Sequence, residues 1–263
     1  MKAIHSRENP TVKQLIALAH SSRERKKAGL TLLDGVHLID AYRRSIGAPK
    51  LLAVGESAAT RDDVRGILRG LDERSLVMLP DAFFREISSL DSPSMAVALV
   101  ETPRAHDVPK DATVLVLDDI QDPGNVGSLL RSAAAAGIQE VLTSKTTAFC
   151  WSPKVLRAAQ GAHFALNIVE GANLVDWLGN YRGRSLAMVA SGADSIPLYS
   201  SAMRGPVAIL LGNEGAGLSP RVLALATQRV TIPMPGTMES LNVAAAGAVV
   251  LFELVRQRVR QSA

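Results

Sequence analysis

The sequence predicts an α/β protein in two parts: a small alternating unit over residues 1–100 and a larger, mostly parallel unit over 112–263, joined by a linker at 101–111. Three observations lead there. Short apolar runs alternate with stretches of helical spacing in both parts, the pattern of sheets covered by helices. Residues 101–111 (ETPRAHDVPKD) carry two prolines, five charges and little apolar content, which is the composition of a surface linker. A chain of 263 residues, 47% hydrophobic and 21% charged, has the length for two domains and the apolar content to bury a core in each.

In the first part, Asn9-Pro10 opens a helix, with Asn9 as cap and Pro10 at the first helical position. Val12, Leu15, Ile16 and Ala19 follow at helical spacing, and the run Arg23, Arg25, Lys26, Lys27 forms the far end of the same helix, stopped by Gly29. Buried strands are expected at 30–33, 51–54, 76–79 and 96–100, separated by helices near 35–46, 61–70 and 81–88. Beyond the linker the strands fall at 113–118, 140–143, 164–169, 185–190, 207–211 and 229–233. Helices are expected at 125–136, 153–160, 172–179, 219–226 and 240–258. The apolar runs near 112–118 and 243–252 are short of the roughly 20 residues that span a bilayer, so no membrane role is expected.

Composition and missing motifs exclude several classes. The single cysteine, Cys150, has no partner for an intramolecular disulfide, and the first residues carry no apolar secretory stretch, so a cytoplasmic location is expected. No Gly-Lys-Ser/Thr or G-x-G-x-x-G occurs, which speaks against ATP hydrolysis and classical nicotinamide binding. Five scattered histidines, no H-E-x-x-H and one cysteine make a metal site improbable. No G-x-S-x-G supports serine-hydrolase chemistry. The net charge is +4, but residues 1–50 hold 10 Lys and Arg against 4 Asp and Glu. Such clustering is the footprint of a phosphate-rich partner, with Arg23, Arg25, Lys26 and Lys27 as candidate contacts; a solvated helix face has the same appearance.

Three segments carry a chemical signal. Asp122-Pro123-Gly124-Asn125 to Arg131 leads from a strand into a helix, whose N-terminus favours an anion. Asn125 is either cap or first-turn residue, and a capped helix with a solvent arginine is the plain alternative. Leu210 to Pro220 runs from a buried strand into a turn with three glycines, placing Glu214 where ligands bind in open α/β sheets; a tight corner looks the same. Ile232 to Val243 is a proline-stiffened loop before the small-residue run Ala244–Ala248. There Ser240 is a candidate cap, and the small residues a candidate packing seam.

Taken in order, D-P-G-N-V-G-S-L-L-R-S-A (122–133), L-G-N-E-G-A-G-L (211–218) and I-P-M-P-G-T-M-E-S-L-N-V (232–243) resemble the three motifs of the SpoU-TrmH methyltransferases of the SPOUT superfamily. The likeness covers about residues 112–258. Residues 1–100, opening on N-P-T-V-K-Q-L, resemble more weakly the RNA substrate-binding domain that precedes the catalytic domain in several members. The resemblance implies a catalytic domain with a deep trefoil knot, a topology that general fold rules nearly exclude. It further implies a homodimer using S-adenosylmethionine to methylate a ribose 2′-hydroxyl of rRNA, with tRNA second. Gly212, Ile232 and Leu241 would contact the cofactor, mostly through the main chain, while Asn125, Arg131, Glu214, Ser240 and Asn242 would form the reaction centre. A ribose hydroxyl is a poor nucleophile, so the developing oxyanion needs stabilisation, which suits Arg131 better than a base role because guanidinium keeps its proton. A non-catalytic RNA-binding factor is the competing class, opposed by the intact Asn125, Arg131, Glu214 and Asn242. A base-methylating SPOUT enzyme is another, opposed by the N-x-G-x-x-x-R pattern.

Overall fold

The computed structural model describes residues 1–88, 93–190, 192 and 194–262. The chain forms two compact units: Met1–Arg104 with Trp151–Phe164, and Ala105–Cys150 with Ala165–Ala263. The contact boundary therefore falls at the start of the expected linker. The second half also lends a segment to the first unit, which a continuous domain from residue 112 does not include.

The first unit contains β1 (Lys2–Ala3), α1 (Pro10–His20), α2 (Ser22–Ala28), β2 (Leu30–Asp34), α3 (Val36–Ser45), β3 (Leu51–Gly55), α4 (Asp62–Leu68), β4 (Leu76–Leu79), α5 (Asp81–Ile87) and β5 (Ala96–Glu101). Its five-stranded sheet runs β1-β4-β3-β5-β2, with β1, β4 and β3 parallel and β5 antiparallel to both neighbours. Alternate strand residues Leu32, Ala53, Val77, Val97 and Leu99 meet Val12, Leu15 and Leu18 of α1 and Phe84 and Ile87 of α5 in one core.

Asn9 caps α1 as expected, its side chain accepting from Thr11 N–H at 2.9 Å. The single helix expected through to Gly29 is two helices. Ser21 adopts extended backbone, ends α1 and caps α2 through Glu24 N–H. The break turns Arg25 inward, where it is 5% exposed and donates to the carbonyls of Leu18 and Ala19 at the end of α1. Those are the carbonyls that a helix end leaves without intrahelical partners. Burial holds the Arg25 guanidinium below its ordinary pKa. Arg25 is thus a helix-end clamp rather than a phosphate contact, whereas Arg23, Lys26 and Lys27 are exposed.

The second unit is built on β6 (Val114–Asp118), α6 (Pro123–Ala135), β7 (Glu140–Thr143), β8 (Asn167–Val169), α8 (Leu174–Gly179), β9 (Arg184–Met188), β10 (Ile196–Pro197), β11 (Val207–Gly212), α9 (Pro220–Ala224), β12 (Gln228–Thr231) and α10 (Val243–Ser262); α7 (Pro153–Ala159) lies in the segment that joins the first unit. Seven parallel strands run β10-β12-β9-β11-β6-β7-β8. Val114 to Leu117 and Val207 to Leu210 are fully buried, as parallel strands covered on both faces require. From β6 the chain steps outward through β7 and β8, returns to β9, and then inserts β11 between β9 and β6. This reversal opens a crevice at the carboxyl ends of the central strands. α10 packs on α6 and β11 so closely that a Cβ on Gly247 would sit 2.2 Å from Leu129 Cδ2, so the small-residue run is a packing seam. No helix among the described residues is long and apolar enough to cross a membrane.

Candidate active site

The carboxyl end of β11 leads into a turn that closes on itself. Asn213 and Gly217 exchange main-chain hydrogen bonds of 2.9 Å in both directions, so five residues form a tight flap. Gly212 lies directly beneath it: a Cβ there would meet Gly217 C and Leu218 N at 2.2 Å. Only glycine fits. Beside the flap opens a cavity of about 520 Å³, bounded also by the segment after β12 and the start of α10.

Gly212, Ile232 and Leu241 line this cavity, together with Glu214, Ser240 and Asn242. Its walls are apolar at Leu211, Leu218, Ile232 and Leu241 and acidic at Glu214 and Glu239. The volume falls within the range of roughly 300–1,000 Å³ usual for small-molecule sites. Apolar walls suit a planar base, the bare main chain of the flap suits its polar edges, and carboxylates suit a cation. The residues present fit a positively charged nucleoside such as S-adenosylmethionine.

The three motif segments meet in one chain of hydrogen bonds. Asn125 Nδ2 donates to Glu214 Oε1 at 2.9 Å, and Asn242 Nδ2 donates to Asn125 Oδ1 at 2.9 Å. Asn242 Oδ1 accepts from Ala244 N–H at 2.9 Å and Ala245 N–H at 3.3 Å. Every amide orientation is determined from both ends. A carboxylate only accepts, which turns the Asn125 NH₂ toward it, and helix N–H groups only donate, which turns the Asn242 oxygen toward them. Partial burial pushes the Glu214 carboxyl up, but the hydrogen bond from Asn125 and those of main-chain groups, including Gln121 and Asp122, outweigh it and hold it below the ordinary carboxylate range. Glu214 is therefore a fixed anion at neutral pH, placed at the positive end of α6.

Two alternatives left open by the sequence are settled here. Asp122 caps α6, accepting from Asn125 N–H at 2.8 Å, so Asn125 lies inside the first turn. Asn242 rather than Ser240 caps α10. Arg131 stands apart from the cluster. Six helical positions from Asn125 is about two-thirds of a turn past a full turn, so its side chain leaves another face of α6. It is exposed and makes no hydrogen bond or ion pair among the described residues. Sequence reasoning missed Asn213, whose side chain holds the flap, and Glu239, which lines the cavity within the third motif. Among the described residues no group of His, Cys, Asp and Glu is placed to hold a metal.

Residues 112–252 match the SpoU rRNA Methylase family, and residues 9–98 match the MRM3-like substrate binding domain. The chain belongs to the SpoU rRNA methylase family. As a SpoU methylase it is an S-adenosylmethionine-dependent RNA methyltransferase. It is 29% identical to the 23S rRNA (guanosine(2553)-2′-O)-methyltransferase RlmP of Bacillus subtilis, over 97% of this chain and 99% of that one. It is 31% identical to the 23S rRNA (uridine(2479)-2′-O)-methyltransferase of Streptomyces viridochromogenes, over 95% of this chain and 91% of the relative. Among solved structures, the SpoU methyltransferase AviRb from S. viridochromogenes in complex with the cofactor AdoMet superposes with a TM-score of 0.82 at 28% identity, covering 96% of this chain and 99% of that one. The substrate-binding match falls in the first unit, and the methylase match covers most of the second together with the Trp151–Phe164 segment of the first.

Proposed function

We propose that this methylase transfers a methyl group from S-adenosylmethionine to a ribose 2′-hydroxyl of ribosomal RNA. The observation that carries the reading is the Glu214–Asn125–Asn242 chain at the edge of a cavity floored by Gly212. When bound in that cavity, the cofactor supplies an electrophilic methyl on a sulfonium. Gly212, Ile232 and Leu241 hold it, mostly through main chain and apolar contact. Asn125 and Asn242 each keep a further N–H for the incoming nucleotide, and Ser240 adds a hydroxyl at the cavity wall. Glu214 orients that set and, as a lasting anion, favours a cationic cofactor. Arg131 has no place in the amide chain of its own subunit; in the dimer proposed below it is left to stabilise the developing oxyanion or anchor the adjacent phosphate. The names of the rRNA 2′-O-methyltransferase relatives support ribose over base. Mapping 2′-O-methyl positions in rRNA from cells with and without the protein tests the reading. A lost base methylation, with every ribose position unchanged, would overturn it.

The active form in this reading is a cytoplasmic homodimer. On α10, Ala245, Phe252 and Val259 recur every seven residues on the side away from α6, and Phe252 is 49% and Val259 63% exposed. A regular apolar stripe of this kind calls for a partner. Phe252→Asp should convert a dimer into a monomer in sedimentation at micromolar concentration; a wild-type protein already monomeric there would remove the dimer. The path of the chain also supports the trefoil knot. From β12, outside β9, it returns past the Gly212–Leu218 flap to lay α10 on α6 and β11.

The first unit selects the RNA, with Arg23, Lys26 and Lys27 on its phosphates. Each phosphate neutralised contributes roughly 0.7–0.9 log units of affinity per log unit of salt. Replacing these three residues by Gln should weaken RNA binding and flatten the salt slope while cofactor affinity stays at the wild-type value. Arg25→Gln should instead lower the melting temperature, because it removes the clamp on α1. An unchanged salt slope in the triple variant would move the RNA-binding face elsewhere.

A further inference from the structure

Asn213 stands between Gly212 and Glu214 and makes more directional contacts than either. Its main-chain N–H and carbonyl both pair with Gly217. Its side-chain Oδ1 accepts from Gly215 N–H and Ala216 N–H, each at 3.0 Å, so the oxygen pins the tip of the flap. Its Nδ2 reaches across the sheet in the other direction, donating to Asp119 O at 2.9 Å and Asp119 Oδ2 at 3.2 Å.

Asp119 is itself held in an unusual state. It follows the end of β6 with φ +62°, in the left-handed region that costs a non-glycine residue energy unless its surroundings impose it. Its N–H donates to Ser144 Oγ at 2.9 Å, and the Gln121 side chain approaches its carboxylate at 3.3 Å. Three residues further on begins the capped turn that presents Asn125. One amide therefore joins the flap over the cofactor cavity to the turn that leads to the amide chain.

We infer that Asn213 is a positioning residue that locks the cofactor flap to the β6–α6 turn, so that cavity shape and the Asn125–Glu214 pair are set together. The inference rests on the functional reading above and adds a residue to which that reading gives no task. Nδ2 is the decisive atom. Asn213→Asp keeps the acceptor for Gly215 and Ala216 but sets a carboxylate against the carbonyl and carboxylate of Asp119. Asn213→Ala removes both arms.

Binding of S-adenosylmethionine by titration calorimetry, with kcat and KM for both cofactor and RNA, tests this on the full chain. Losing hydrogen bonds to a charged group should weaken cofactor affinity in N213D at least about 10-fold, raise its cofactor KM in step and lower kcat as the Asn125–Glu214 pair shifts, while the KM for RNA, set chiefly by the first unit in the functional reading, changes by less than about 3-fold. The double variant N213D/D119N returns a donor to face the new carboxylate and should recover at least about 3-fold of the loss, a coupling read by completing the cycle with D119N. Tight cofactor binding by N213A and N213D, or a double variant no better than N213D, would overturn the inference. Equal weakening of the cofactor and RNA KM values would do so as well, since that marks a general loss of fold. Failure of the wild-type protein to bind S-adenosylmethionine would instead overturn the functional reading itself.

Discussion

Arg131→Ala should lower the methyl-transfer rate at least about 10²-fold, the scale of removing one donor to a developing oxyanion, and leave S-adenosylmethionine affinity within a few-fold. The geometry separates the two effects. Arg131 does not line the cavity, so cofactor binding has no stake in it, and its exposed guanidinium has no partner among the described residues that would be lost on truncation. The fold should therefore survive unchanged, and single-turnover kinetics at saturating cofactor report chemistry alone. Arg131→Lys keeps the charge but not the bidentate fork, and should recover only part of the rate. Turnover near that of the wild type in the alanine variant would take Arg131 out of the mechanism.

Gly212→Ala should have the larger effect on binding. The new Cβ would lie 2.2 Å from Gly217 C and Leu218 N and 2.5 Å from Gly217 O, all main-chain atoms with no rotamer to escape into. Overpacking typically costs about 1–3 kcal/mol where side chains can adjust, and here only the flap can move. It would have to lift away from β11, breaking the paired Asn213–Gly217 hydrogen bonds and opening the cavity. Cofactor affinity should fall at least about 100-fold, which corresponds to roughly 2.7 kcal/mol. Gly215→Ala is the matched control: its Cβ would meet nothing closer than Asn213 Oδ1 at 3.7 Å, so the melting temperature should hold. Tight cofactor binding by the Gly212 variant would show that the flap does not shape the cofactor site.

Much of this fold is legible in the sequence because buried parallel strands announce themselves as apolar runs. Leu76–Leu79 and Glu140–Thr143 fall where expected, and most other strands differ by a residue or two at their ends. The two-residue strands β1 and β10 are too short to show a period. The break at Ser21 was signalled after all, since Ser21 followed by Glu24 is the spacing of a capping box, but the helical pattern on both sides outweighed it. Asp122-Pro123 repeats the cap signal of Asn9-Pro10 and points to the true start of α6. The three motifs point to segments that meet at one cavity, yet nothing local shows that Asn125, Glu214 and Asn242 touch, that Arg131 leaves another face, or that Arg25 is buried. Those facts belong to packing between distant segments, as does the allegiance of Trp151–Phe164 to the first unit.

The bonds that assemble the proposed reaction centre span long stretches of chain: Asn125 to Glu214 across 89 positions and Asn242 to Asn125 across 117. Closing loops of that length before any reward is collected makes folding slow, and it orders events during synthesis. Residues 1–100 and the first strands of the second unit leave the ribosome well before Asn242 does. On the proposed reading a nascent chain can thus present Arg23, Lys26 and Lys27 to RNA while lacking the last amide and the helix that fixes it. In the proposed reading methylation competence arrives only once α10 has been made, so a product terminated before Asn242 should be chemically silent.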